Sequence, residues 1–226
     1  RDVAPSRGLG DVYKRQSMVD RNSSIIKVDS GWIVYSKNSE SSILSFTSDG
    51  QFSGYIGHRG NGPGEYTSVY DVVVNQKSKV LEVLSDGGIF CYTFGGDFLD
   101  KKEVTYPAFS FAIDDRQNYW FYVGNNTTYG DAKMICTDEN IANVAYYLHQ
   151  PSNMLPMVEN NFGRNGEWLT FHESLNHDLY TIENGKLDLS YAMDFPNYKL
   201  PKKLHELSGM EAVSYTHLRA HETELH

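Results

Sequence analysis

Cysteine is scarce. The 226-residue chain has two, Cys91 and Cys136. Two thiols cannot build a disulfide scaffold, and their spacing fits no zinc-ligand pattern. They fall in different sequence repeats, on opposite sides of the positions that mark those repeats, so two small core or half-buried thiols are expected rather than a bond. Long apolar runs are missing too. No stretch reaches the roughly 18 consecutive apolar residues of a membrane-spanning helix. Basic clusters are absent: the formal net charge is −9, and no Lys/Arg patch offers itself to a phosphate backbone, which argues against nucleic acid as a partner. Helical periodicity is nearly absent; one stretch, Leu200 to Met210, could be a helix with Pro201 near its start. No nucleophile, base and orienting residue stand together as a catalytic set, and no cofactor is specified.

Aromatic residues are plentiful, with 16 Tyr, 11 Phe and 3 Trp. Such residues suit half-buried strands. They recur with a period. Ile43 to Phe52, Ile89 to Phe98, Met134 to Ile141 and Leu179 to Leu187 each read as a strand, a polar Gly/Asp/Asn turn and a second strand. Their anchors, Phe46, Tyr92, Ile135 and Tyr180, are spaced 46, 43 and 45 residues apart. A period near ~45 with several short strands per unit marks a β-propeller blade. The expected fold class is all-β, a propeller of four-stranded antiparallel blades, about four of them here. The third unit, with Asp138-Glu139-Asn140 in its turn, is the most degenerate.

The ends do not share the repeat. Residues 1–16 and 213–226 resemble translated adapter sequence and are expected to be artefactual or disordered tails. Residues 17–212 then form a partial propeller domain, cut from a larger ring. Excluding the tails also sets aside His217, His221 and His226 as metal ligands.

Four inner hairpins precede the outer strand pairs: Ile25–Val28 with Trp32–Tyr35, Tyr70–Val74 with Val80–Leu84, Phe109–Ile113 with Tyr119–Val123, and Val158–Phe162 with Trp168–Phe171. The first strand of each is expected to line the central channel, with apolar faces packing between blades. Asp114-Asp115 sits in a hairpin turn, where Asp bonds local backbone.

One loop interrupts the pattern, Gly57-His-Arg-Gly-Asn-Gly-Pro-Gly-Glu-Tyr66. It lacks the Lys-Ser/Thr and following helix of a phosphate-binding loop. A rigid crossover between blades is expected, with Glu65 accepting hydrogen bonds from backbone amides. The string Gly57-x-x-Gly60-x-Gly62-Pro63-Gly64-Glu65-Tyr66 resembles the GxGPGEY element of six-bladed β-propellers of Bacteroidota, of the NHL/TolB-like kind. Asp71-Val-Val-Val74 and Phe90 to Phe98 fit the same resemblance. It implies a parent of six blades and export by a signal or lipoprotein peptide. It also implies a place in the periplasm or at the cell surface, where a lipid anchor could hold the full-length protein. It implies no established reaction.

The reading that follows is a non-catalytic binding or scaffold propeller, presenting rim loops to a glycan, peptide or protein. Its candidate ligand-binding residues are His58, Arg59, Glu65, Tyr66, Asn125 and Tyr129. The alternative is a propeller lyase or hydrolase with a metal or His/acid site at the channel, for which His58, His172 and Glu173 are the candidates. His172 and His177, five apart, would face opposite ways on a single strand unless a turn intervenes.

Overall fold

The computed structural model describes residues 23–37, 42–124, 132–149, 160–173 and 177–193. Both proposed tails, the 200–210 stretch, Asn125 and Tyr129 lie outside the described residues. Every regular element described is a strand.

The strands form four sheets in chain order. The first holds β1 (Ser23–Val28), β2 (Gly31–Ser36), β3 (Ile43–Thr47) and β4 (Phe52–Ile56). A parallel pair of two-residue strands follows, β5 (His58–Arg59) and β6 (Glu65–Tyr66). The second blade is β7 (Asp71–Asn75), β8 (Val80–Ser85), β9 (Gly88–Tyr92) and β10 (Phe98–Lys102). The third is β11 (Ser110–Ile113), β12 (Tyr119–Tyr122), β13 (Ala132–Thr137) and β14 (Ala145–His149). The fourth is β15 (Phe162–Asn165), β16 (Trp168–His172), β17 (Asp178–Glu183) and β18 (Lys186–Ala192). Each blade is an antiparallel meander, and together they make a four-bladed β-propeller arrangement. The anchors Phe46, Tyr92, Ile135 and Tyr180 fall on the third strand of each blade.

Strand alternation explains the packing. Successive side chains of a strand point to opposite faces. In β12, Tyr119 and Phe121 face the second blade, among Leu84, Ile89 and Phe111. Trp120 and Tyr122 face the fourth, among Met134, Leu169 and Phe171. Ile33, Ile43, Tyr66, Leu81 and Tyr92 fill the seam between the first two blades. The core is therefore three seams, one between each pair of neighbours. The first and fourth blades also carry exposed apolar side chains, including Ile25, Trp168 and Tyr191.

The polar turns between third and fourth strands are one device reused. Thr47 Oγ1 accepts from Gln51 N at 3.1 Å, and Thr93 Oγ1 from Asp97 N at 3.1 Å. In the third blade Asp138 Oδ1 accepts from Ala142 N at 2.9 Å. A side-chain acceptor at the same turn position keeps the geometry that the sequence of the third unit obscures. Asp114 caps its own turn as expected, accepting from Arg116 N at 2.9 Å and Asn118 N at 2.8 Å.

One strand differs from expectation. The fourth hairpin does not turn over residues 163–167: β15 runs through Gly163-Arg164-Asn165, and the turn is Gly166-Glu167. Gly166 takes a φ of 61°. The polar Arg164 and Asn165 look like turn residues in sequence, but they sit on a solvated inner strand.

Candidate ligand-binding rim and channel

The meander gives each blade two ends. Turns between second and third strands, and crossovers between blades, emerge at one rim. Turns between first and second, and third and fourth, emerge at the other. The 57–66 crossover, the Asp86-Gly87 turn and the Glu173 end of β16 therefore share a rim.

The crossover is clasped from within and from both blades. Gly60 N donates to Tyr66 O and Glu65 N to Gly62 O, both at 3.0 Å. Glu65 Oε2 accepts from Gly62 N at 2.8 Å, the backbone contact expected of it. The Tyr66 hydroxyl is buried; it donates to Ile56 O at 3.2 Å and accepts from Ile43 N at 3.4 Å, tying the loop to the first blade. Tyr92 Oη donates to Gly64 O at 2.9 Å, tying it to the second. Two glycines make close approaches. A Cβ on Gly57, where φ is 62°, would lie 2.7 Å from the Tyr92 ring, and one on Gly60 would lie 2.0 Å from the Glu65 carboxylate. His58 and Arg59 are the residues of this loop's first strand left exposed. Arg59 Nε donates to Thr67 O at 3.0 Å. Beside it, Thr67, Ser68 and Tyr70 hydroxyls donate to Asp86 at 2.8, 2.9 and 2.5 Å. The Tyr70 bond, then that of Thr67, holds the Asp86 carboxyl below its ordinary range.

The inner strands β1, β7, β11 and β15 line a cavity of about 610 Å3, so they border the channel as expected. At its crossover-side mouth Asp71 opens β7 and is buried. Lys37 Nζ lies 2.9 Å from its Oδ1. Tyr35 Oη donates to the same oxygen at 3.3 Å, and Phe111 N to Oδ2 at 3.1 Å. One carboxylate thus joins three blades. Burial pushes the Asp71 carboxyl up, against the pull of Lys37. Burial, and then Asp71, push the Tyr35 phenol well up, so it stays a donor. Two further carboxylates bridge blades, Glu82 buried and Glu173 half-buried. Glu82 accepts from Tyr119 Oη at 2.8 Å and Asn75 Nδ2 at 3.1 Å. Glu173 accepts from Lys133 Nζ at 2.8 Å and Tyr122 Oη at 2.7 Å.

The candidates read from sequence separate accordingly. His58, Arg59, Glu65 and Tyr66 sit together on one crossover, the first two outward and the last two turned into the clasp. Glu173 joins the third and fourth blades. His172 ends β16, and His177 precedes β17, so the two histidines do not share a strand. Among the described residues no three His, Cys, Asp or Glu side chains gather as a metal site. Both cysteines are buried and free. Asp71, Lys37, Glu82 and Lys133 were not singled out by sequence; a carboxylate heading the apolar run Val72-Val73-Val74 was the available signal for Asp71. No described helix is long and apolar enough to cross a membrane.

The chain belongs to the family described as a domain of unknown function, DUF4934, which matches residues 14–218. That match begins inside the 1–16 segment and ends inside the 213–226 segment. No curated protein matches the chain. Among solved structures, a protein of Bacteroides fragilis described as exported is 14% identical, with a TM-score of 0.69 over 79% of this chain and 52% of that one. The present chain thus spans about half the length of that structure. A DUF4221 family member from Bacteroides vulgatus is 10% identical, with a TM-score of 0.50 over 78% of this chain and 60% of that one. The extracellular domain of a two-component system from B. thetaiotaomicron is 15% identical, with a TM-score of 0.41, covering 74% of this chain and 21% of that one. At these identities the likeness concerns the fold.

Proposed function

We propose that this chain is a binding or scaffold propeller of the bacterial envelope, without chemistry of its own. It recognises a glycan, peptide or protein through the rim that carries the 57–66 crossover. The observation behind this reading is the presentation of His58 and Arg59. Both are exposed on a backbone clasped by Glu65, Tyr66 and Tyr92. Side chains held on a rigid loop bind with little ordering cost, which is how a recognition loop gains affinity. Asn125 and Tyr129 are proposed to contribute to the same recognition. A location outside the cytoplasm is supported by the description of the B. fragilis protein as exported. A larger ring, of the six blades implied by the GxGPGEY element, is supported by Ile25, Trp168 and Tyr191 exposed on the first and last blades. The terminal segments 1–16 and 213–226 are proposed to lie outside the recognition domain.

The test is a glycan and peptide array probed with the wild-type chain and with the H58A/R59A double variant. Selective signals that fall at least tenfold in the variant support the reading. Selective signals that the substitutions leave unchanged refute it.

A further inference from the structure

The channel has a second mouth, and its charge is opposite to that of the protein. Among the described residues, three cationic side chains line the cavity, Lys27, Lys37 and Arg164, against one carboxylate, Asp71. Lys37 and Asp71 neutralise each other at the crossover-side mouth. Lys27 and Arg164 stand at the other end. Lys27 precedes the last residue of β1, and Arg164 precedes the last residue of β15. The inner strands run in the same sense: Phe111 near the start of β11 bonds Asp71 at the start of β7, and the turns that end β1 and β7 meet through Lys79 and Asp29 at 3.1 Å. The described lining of the far mouth is therefore cationic within a chain of net charge −9. A cleft of one sign with low-dielectric walls focuses the field and concentrates the opposite ion.

The cations are placed, not loose. Arg164 Nη2 donates to Ile113 O, the last residue of β11, which fixes the guanidinium across the seam of the third and fourth blades. Lys27 Nζ lies 5.6 Å from the centroid of the Trp32 ring. Between them Gln76 adds an amide, and Val74 and Leu169 give apolar wall. A volume of about 610 Å3 falls in the range of small-molecule sites.

We propose that this mouth binds the oxyanion of a small organic molecule, a carboxylate or a phosphate. Arg164 is its main anchor and Lys27 the second. Arginine suits the task because its planar fork matches either oxyanion. The site is independent of the His58–Arg59 rim and does not rest on that reading.

Isothermal titration calorimetry at low salt tests it, with the whole chain and three probes: inorganic phosphate, glucuronate, and glucose as the uncharged control. One or both anions should bind and glucose should not. R164Q and K27Q should each weaken binding about tenfold or more, since each removes a charge-assisted contact. R164K should retain part of it. K79Q should change nothing, because Lys79 lies on the same rim outside the cavity. Phosphate alone binding identifies a phosphoryl ligand, and glucuronate alone a carboxylate. The proposal is overturned if neither anion binds, if glucose binds equally, or if binding survives R164Q and K27Q. Loss of anion binding in R59Q but not in R164Q would also overturn it, placing the ion at the opposite rim. Both substituted residues are exposed, and an unchanged thermal midpoint verifies that each variant is folded.

Discussion

Removing the carboxyl group of Asp71 should loosen three blades at once. Its carboxylate is buried and accepts from Lys37, Tyr35 and the amide of Phe111. Asp71→Leu takes from the Lys37 ammonium, itself 9% exposed, the carboxylate that lies 2.9 Å from it. Breaking a buried pair from one side costs about 3–5 kcal/mol, and the orphaned Phe111 amide adds about 1–3 kcal/mol. Against a typical total of about 5–15 kcal/mol, such a variant is near unfolding. The pair itself is not a net source of stability. Burial pushes the Asp71 carboxyl up despite Lys37, so desolvation outweighs attraction. The double variant Asp71→Leu/Lys37→Met should therefore be more stable than Asp71→Leu alone, by about 1–3 kcal/mol. Urea unfolding with comparable m values is the assay. A loss below about 1 kcal/mol in Asp71→Leu, or a double variant as unstable as the sum of its singles, would refute the bridging role.

Asp86 and Asp71 should affect acid stability in opposite senses. Asp86 is held below its ordinary range, so its contribution is present above a pH near ~4 and lost as pH falls through the lowered value. Asp86→Asn should flatten that acid limb in pH-dependent urea midpoints. Asp71 is raised, so its contribution is full below a pH near ~4 and fades as pH rises through the raised value. Midpoints of Asp71→Asn should lack that decline. Burial pushes both thiols up to about 12, with Glu82 adding to it at Cys91 and Asp114 at Cys136. A thiol reagent at pH 8 should thus leave the native chain unlabelled and modify two groups after denaturation; fast native labelling would contradict the burial. Gly57→Ala forces a β-carbon into the Tyr92 ring at a positive φ. It should cost at least about 2 kcal/mol by calorimetry, from backbone strain and overpacking together. Gly50→Ala, where a β-carbon meets nothing within 4 Å, should show the backbone strain alone.

Much of the fold was legible in the chain because its causes are local and periodic. The unbroken aromatic run Tyr119-Trp120-Phe121-Tyr122 suits a buried strand, and that reading needs no partner. The anchors at Phe46, Tyr92, Ile135 and Tyr180 locate the third strands because each unit repeats one meander. Gly57, Gly60 and Glu65 announce a tight crossover because glycine and a turned-in carboxylate have few other uses in such density. The strand through Gly163-Arg164-Asn165 was misplaced for the converse reason: its polar residues are tolerated by an inner strand open to the channel, and local composition reads them as a turn. The blade-joining groups belong to tertiary structure alone. Asp71 meets Lys37, Tyr35 and Phe111 from 34, 36 and 40 residues away, and Glu173 meets Lys133 from 40. Nothing in a one-dimensional pattern distinguishes such residues from solvated charges. The cationic mouth is equally invisible in sequence, since Lys27 and Arg164 come from the first and last blades. The local pattern sets strands and turns, but the angular packing of one blade on the next decides which charges are buried, which are paired and which face the channel.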